Sequence, residues 1–136
     1  MLAKKIDHVA IAVKDLDAAI QTFTRNFAFP VQSRALKEEL HQRWALLPVA
    51  DTFLELFQPT SDANRAAQFL SERGEGLYAL SLEVESVADA ADHLVSKGIP
   101  VKIQTVHEGL NACFISPEHT HGVLISLIQH TDKPGG

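Results

Sequence analysis

The sequence has little of several features that would mark an unusual class of protein. Its 136 residues include a single cysteine, Cys113, which excludes an internal disulfide and fits a reducing compartment. There is no apolar run of transmembrane length, and the beginning, MLAKKIDH, lacks the apolar region of a secretory signal peptide. These absences predict a cytoplasmic protein that is not embedded in a membrane.

Positive charge is also scarce. Twelve Lys and Arg against 17 Asp and Glu give a formal net charge of -5 with histidine neutral. An excess of negative charge disfavours nucleic acid and anionic membranes as partners. The hydrophobic fraction of 46% and the charged fraction of 21% are ordinary for a globular protein, and the length suits one domain with a modest core.

What the sequence does contain is an internal repeat. The stretch IDHVAIAV at 6–13 is echoed by LYALSLEV at 77–84, and adding 71 to the residue number maps FLELF at 53–57 onto LISLI at 124–128. The economical explanation is a duplicated unit, and missing it would give the wrong fold.

Local patterns predict one strand, one helix and three strands in each unit. In the first unit the strand at 6–13 precedes a helix that begins after Asp15, a good N-cap residue, and the alternating run at 52–58 stops at Pro59. The second unit repeats this order with a strand, a helix and three strands at 77–84, 86–97, 101–106, 111–116 and 123–129. Between the aligned strands FPV meets IPV with a shift of 70, so one loop differs by one residue.

These elements predict an α+β fold of two tandem βαβββ modules within a single domain. A short helix capped by Ser61 or Asp62 is expected between the modules. The predicted parts are module one at about 5–59, the linking helix at about 61–73, module two at about 76–130 and a tail at 131–136. Each module alone has an open sheet with one apolar face, so the two sheets must cover one another or close around a cavity.

Two polar residues interrupt the apolar strands of module one. His8 lies in the first strand and Glu55 in the fourth, whereas module two has Ala79 and Ser126 at the same places. If the first pair converges, an imidazole and a carboxylate make half of a divalent-metal site. Otherwise they are a structural histidine and a glutamate that faces water while its neighbours face the core.

Other donor side chains lie in module two, at Tyr78, His107, Cys113, His119 and His121. Because adjacent strand residues point to opposite faces, Tyr78 is expected to face away from Ala79. Cys113 is expected to be a small buried hydrophobe. The histidines of PEHTH, at 117–121, fit a solvated turn better than a ligand pair.

Five stretches of the chain resemble one superfamily. IDHVAIAVKDLDAA, ALLPVADTFLELFQP, AAQFLSERGEGL, LVSKGIPV and FISPEHTHGVLISLIQ are similar to the glyoxalase/bleomycin-resistance/extradiol-dioxygenase superfamily, the vicinal oxygen chelate proteins, and within it to the methylmalonyl-CoA epimerases. RGEG at 73–76 and GVLI at 122–125 are the most specific pieces. The resemblance covers about residues 6–130. It implies a curled, eight-stranded mixed sheet around a pocket, usually within a homodimer.

The resemblance also implies a metal site, which this chain has only in part. Epimerases of this type take a histidine from the first strand, a glutamine or glutamate from the fourth, a histidine soon after RGEG and a glutamate from the last strand. By position these fall on His8, Glu55, Ala79 and Ser126. The implied metal ligands are therefore His8 and Glu55 alone, and the expected cofactor is either a weakly bound divalent ion or none. Ala79, Ser126 and Trp44 are expected at the pocket, with the dimer contact as an alternative place for Trp44.

Three functions are compatible with this departure from the family pattern. The first is an isomerase of the epimerase type, or a lyase-like member, that moves a proton α to the carbonyl of an acyl-CoA or related compound. His8 and Glu55 would be its catalytic residues, serving a weak metal or acting directly as acid and base. The alternative is a metal-free binding protein that sequesters an aromatic or antibiotic ligand. The third is a scaffold retained as an interaction module.

Overall fold

The structure, a computed structural model, describes residues 1–107 and 110–130. The strands and helices are, in chain order, β1 (Ala3–Ala12), α1 (Leu16–Phe27), β2 (Ser33–Lys37), β3 (Gln42–Val49), β4 (Thr52–Pro59), α2 (Arg65–Arg73), β5 (Gly76–Val84), α3 (Val87–Ser96), β6 (Lys102–His107), β7 (Leu110–Ile115) and β8 (Leu124–His130). This order confirms the predicted tandem of βαβββ modules with a helix between them. The predicted tail at 131–136 lies outside the described residues.

The strands form a mixed sheet that does not close. Its order is β2-β3-β4-β1-β5-β8-β7-β6. β1 is parallel to β4 and β5 is parallel to β8, while the pairs that follow one another along the chain are antiparallel. The α+β class with eight strands is therefore confirmed, whereas a curl around a pocket stays a prediction. In the described part of the chain, no helix is both long and apolar enough to cross a membrane.

Contacts group the chain into two compact units. One is His8–Tyr78, and the other combines Met1–Asp7 with the chain from Ala79 onward. In the first unit, one face of the sheet packs against α1 through the buried side chains of Val13, Leu16, Ala45, Leu47 and Leu56. In the second, the equivalent core against α3 is made by Val84, Val87, Ala90, Cys113, Ile115 and Leu127. Each helix therefore covers one face of its own set of strands.

Helix α1 is fixed at both ends by local contacts. Asp15 is the N-cap, as predicted, and its Oδ1 accepts a hydrogen bond from the amide of Ala18 at 3.1 Å. The amide of Leu16 donates to Oε1 of Gln58 at 2.9 Å, which satisfies another free amide of the first turn. After the last turn Ala28 adopts the left-handed conformation, with φ of 60°.

Helix α3 repeats these contacts with different residues. The Oγ of Ser86 accepts from the amide of Asp89 at 3.1 Å, and the amide of Val87 donates to Oε1 of Gln129 at 2.8 Å. Both contacts are those of α1 displaced by 71 residues. Gly98, which lies 70 residues after Ala28, has the left-handed conformation that follows α3, with φ of 83°. The duplication therefore extends from sequence to capping geometry.

Helix α2 begins later than the sequence predicted. It starts at Arg65, and its N-cap is Asn64, whose Oδ1 accepts from the amide of Ala66 at 2.8 Å. The prediction of Ser61 or Asp62 as the cap was wrong. Asn64 also donates through Nδ2 to the carbonyl of Leu40 at 3.0 Å, so a contact made by the folded chain selects this residue.

Candidate functional site

His8 and Glu55 lie on the same face of two neighbouring parallel strands. In the register of β1 and β4, His8 is opposite Phe53 and Ala10 is opposite Glu55. Because side chains alternate along a strand, His8 and Ala10 share a face, and Glu55 shares it with them. Glu55 is therefore a diagonal neighbour of His8.

This face is opposite the one that packs on α1. Leu54 and Leu56 belong to the packing against α1, so Glu55 points away from that core, as the alternation predicted. His8 and Glu55 are nevertheless half-buried rather than exposed. The cross-strand partner of Glu55 in β3 is Leu46. An imidazole and a carboxylate thus share a strand face with large apolar side chains.

Trp44 lies on this same face, opposite Phe57 and half-buried. The ring of Phe57 packs against that of Tyr78 with centroids 5.3 Å apart, and Tyr78 in turn contacts the ring of Phe69 at 5.2 Å. Burial raises the pKa of the Tyr78 phenol, with a smaller opposing effect of Arg65. Tyr78 is therefore a protonated, packed aromatic residue at neutral pH.

A shallow depression of about 230 Å³ is lined by Leu16, Arg34, Ala35, Leu36, Arg43 and Trp44. It includes Trp44 but neither His8 nor Glu55. Arg34 donates to Oδ1 of Asp17 at 2.5 Å, and Arg43 lies 3.9 Å from the other oxygen of that carboxylate. The two guanidinium charges at its rim are therefore partly neutralised.

The corresponding positions of module two form a different kind of site. In the register of β5 and β8, Ser81 is opposite Ser126, which is the pairing of Ala10 with Glu55 displaced by 71 residues. The two hydroxyl oxygens are 2.5 Å apart, and the serines are only 3% and 4% exposed. Ala79, on the same strand as Ser81, has no donor atom.

Of the four positions that the resemblance assigns to metal ligands, two therefore lack a suitable donor. The Ser126 hydroxyl is already hydrogen-bonded in a buried neutral pair, and it is a poor substitute for a carboxylate. The ligand set inherited from the family pattern does not fit a tightly held metal ion in this chain.

Within the described residues, the remaining donor side chains of module two do not form a group of three possible metal ligands. Cys113 is fully buried, as expected, and burial raises the pKa of its thiol. His119 and His121 are exposed near a short 3-10 helix at Pro117–His119, and His119 lies 3.4 Å from Glu118. The side chain of His107 lies outside the described residues.

One cluster was missed at the sequence level. Asp7, Glu83 and His130 place one possible ligand atom each within 4.8 Å of one another. His130 and Asp7 are 123 residues apart, and their Nε2 and Oδ1 atoms are 2.8 Å apart. No spacing motif could reveal this group, because its members meet only when β1, β5 and β8 are paired.

By fold, the chain is a protein of paired βαβββ modules with a mixed sheet and a polar pair on one strand face. The sequence matches the family described as the Glyoxalase/Bleomycin resistance protein/Dioxygenase superfamily over residues 5–127. The chain belongs to this superfamily.

Epimerases are among its relatives. The ethylmalonyl-CoA/methylmalonyl-CoA epimerase of Cereibacter sphaeroides is 26% identical over 130 residues, which cover 92% of this chain and 97% of the relative. The crystal structure of methylmalonyl-CoA epimerase from Mycobacterium tuberculosis is 28% identical, with a TM-score of 0.86 over 94% of this chain and 89% of that one. A methylmalonyl-CoA epimerase in complex with methylmalonyl-CoA and ammonium matches with the same identity and TM-score over 97% of each chain.

Proposed function

We propose that this protein moves a proton at the carbon α to the thioester carbonyl of a methylmalonyl-CoA-like acyl-CoA. The observation that carries the proposal is the placement of His8 and Glu55 on one half-buried face of β1 and β4. The likeness to epimerases, one of them bound to methylmalonyl-CoA, supports the substrate class.

The chemistry needs a base for the α proton and a donor for the resulting enolate oxygen. Glu55 is the proposed base, because its carboxylate lies beside apolar side chains that weaken its hydration. His8 is the proposed donor, since an imidazole can supply a proton or hydrogen bond near neutral pH. Water from the solvent then delivers a proton to the other face of the carbon, which inverts its configuration, and Glu55 releases its own proton to the solvent.

No step of this proposal depends on a metal ion at the family positions. His8 and Glu55 supply one nitrogen and one carboxylate, but Ala79 and the Ser81–Ser126 pair complete no ligand set. A weak divalent ion held by His8 and Glu55 with water stays compatible with the residues present.

The test is exchange of solvent deuterium into methylmalonyl-CoA, followed by mass spectrometry. We expect the wild-type protein to exchange the α proton, and His8→Ala and Glu55→Gln to lower the rate by about 100-fold or more. His119→Ala and Glu118→Gln are matched controls, because they remove an exposed histidine and glutamate elsewhere in the chain. Absence of exchange by the wild-type protein would overturn the proposal.

One observation favours the alternative of a binding protein. At the places where the family pattern has a histidine and a glutamate, this chain has an alanine and a serine, which are smaller and carry no charge. A thermal-shift screen with planar aromatic compounds should then give a stabilising ligand in the absence of any exchange activity. A screen without a hit would count against this alternative.

A further inference from the structure

The cluster of Asp7, Glu83 and His130 lies in one compact unit and is built by three strands. The register of β5 and β8 places Glu83 opposite Ile128, so His130, two residues further, is a diagonal neighbour on the same face. The carboxylate side chains of Asp7 and Glu83 are only 14% and 18% exposed. The cluster is therefore held by strand pairing and is not a loose group of surface charges.

We propose that Asp7, Glu83 and His130 form a binding site for one divalent transition-metal ion. One imidazole nitrogen and two carboxylate oxygens are a donor set that first-row divalent metals accept. None of the three residues coincides with His8, Glu55, Ala79 or Ser126, the positions of the family pattern. The site is independent of the proposed proton transfer.

The atoms of Asp7 and His130 are close enough to bind one ion together. Two donor atoms that lie 2.8 Å apart, each about 2.1 Å from a metal, subtend an angle of about 84° at the ion. This is close to the right angle of octahedral or tetragonal coordination and well below the tetrahedral angle. In the structure this distance is that of a hydrogen bond, so a metal ion would take the place of the shared proton, and Glu83 and water would complete its shell.

The ammonium of Lys4 is the cation that a metal ion would displace from Glu83. The ammonium of Lys4 lies 3.6 Å from Glu83 but 3.0 Å from Glu85, so its charge is shared between two carboxylates. A dication would replace Lys4 beside Glu83, and Lys4 would remain with Glu85.

The test is titration calorimetry of Ni²⁺ into tag-free protein without any acyl-CoA. We expect one Ni²⁺ ion to bind per chain. His130→Ala and Glu83→Gln should weaken this binding at least about tenfold, since even outer-shell partners have effects of that size. Asp92→Asn and His93→Ala are the matched controls, because they remove an exposed carboxylate and an exposed histidine of the same unit. Both controls should leave the affinity within about threefold of wild type.

A Lys4→Gln variant separates a metal site from a network of ion pairs. Removing the competing ammonium should raise the Ni²⁺ affinity several-fold, whereas a purely structural network predicts no gain. Circular dichroism of each variant checks the fold, and the conservative Glu83→Gln keeps the test usable if His130→Ala misfolds. Absence of stoichiometric binding, or loss of binding in His8→Ala in place of His130→Ala, would overturn the proposal.

Discussion

At the scale of single residues, the two modules differ in chemistry at one cross-strand pair. Ala10 with Glu55 in module one corresponds to Ser81 with Ser126 in module two. A carboxylate can accept a proton and return it during a reaction. A pair of buried hydroxyls cannot, so module one keeps the groups that can carry acid–base chemistry.

The serine pair gives a prediction for stability. Ser81→Ala or Ser126→Ala alone should lower the free energy of unfolding by about 1–3 kcal/mol, because each leaves a buried hydroxyl without its partner. The double variant should lose less than the sum of the two, since both polar groups are then gone. Urea denaturation of the four proteins measures this coupling, and strict additivity would contradict it.

The residues of the candidate sites were only partly predictable. His8 and Glu55 stand out in sequence because polar side chains interrupt two apolar strands, and their shared face follows from alternation once the strands are paired. Asp7, Glu83 and His130 give no such signal, because their meeting depends on the register of strands distant along the chain. Periodicity reports which face a residue occupies but not which strand lies beside it.

At the scale of helices and strands, the sequence predicted the N-caps of two helices from their capping residues. Asp15 and Ser86 follow a strand and precede an apolar helical face, and each is the N-cap of its helix. Before α2 the sequence offers three good capping residues, at 61, 62 and 64. Only the tertiary contacts of Asn64 with Leu40 and Gln42 distinguish it from the other two.

The positions after α1 and α3 predict opposite effects of exchanging alanine and glycine. Ala28 has φ of 60°, where a Cβ is strained, whereas the equivalent Gly98 has φ of 83° and open space around it. Ala28→Gly should therefore stabilise the protein by about 0.5–1 kcal/mol, and Gly98→Ala should destabilise it by at least as much. Chemical denaturation measures both changes, and two changes of the same sign would contradict this explanation.

At the scale of the whole molecule, the repeat made the architecture predictable. Once the two halves of the sequence are aligned, the order of strands and helices follows in both, and the structure confirms it. The resemblance to the superfamily adds that the eight strands form a mixed sheet, which local patterns alone do not provide. What the fold leaves open is the chemistry, because the superfamily pattern and this chain differ at the residues that bind metal.

We expect the protein to form a homodimer, as the resemblance implies. β2 and β6 are the edges of the sheet, and each has a large exposed apolar side chain, at Leu36 and Ile103. Apolar side chains on unpaired strand edges favour association with another chain. Sedimentation equilibrium should give twice the mass of one chain, and a monomeric mass at micromolar concentration would contradict the expectation.

Two equivalent glutamines, one in each module, accept a hydrogen bond from the first turn of the helix in their own module. Gln58 and Gln129 make the same hydrogen bond, to Leu16 and Val87, in surroundings that share a backbone but differ in side chains. The same substitution, made separately at Gln58 and at Gln129, therefore removes the same hydrogen bond from two different surroundings. Any difference between the two effects measures the surroundings alone, without recourse to a second protein.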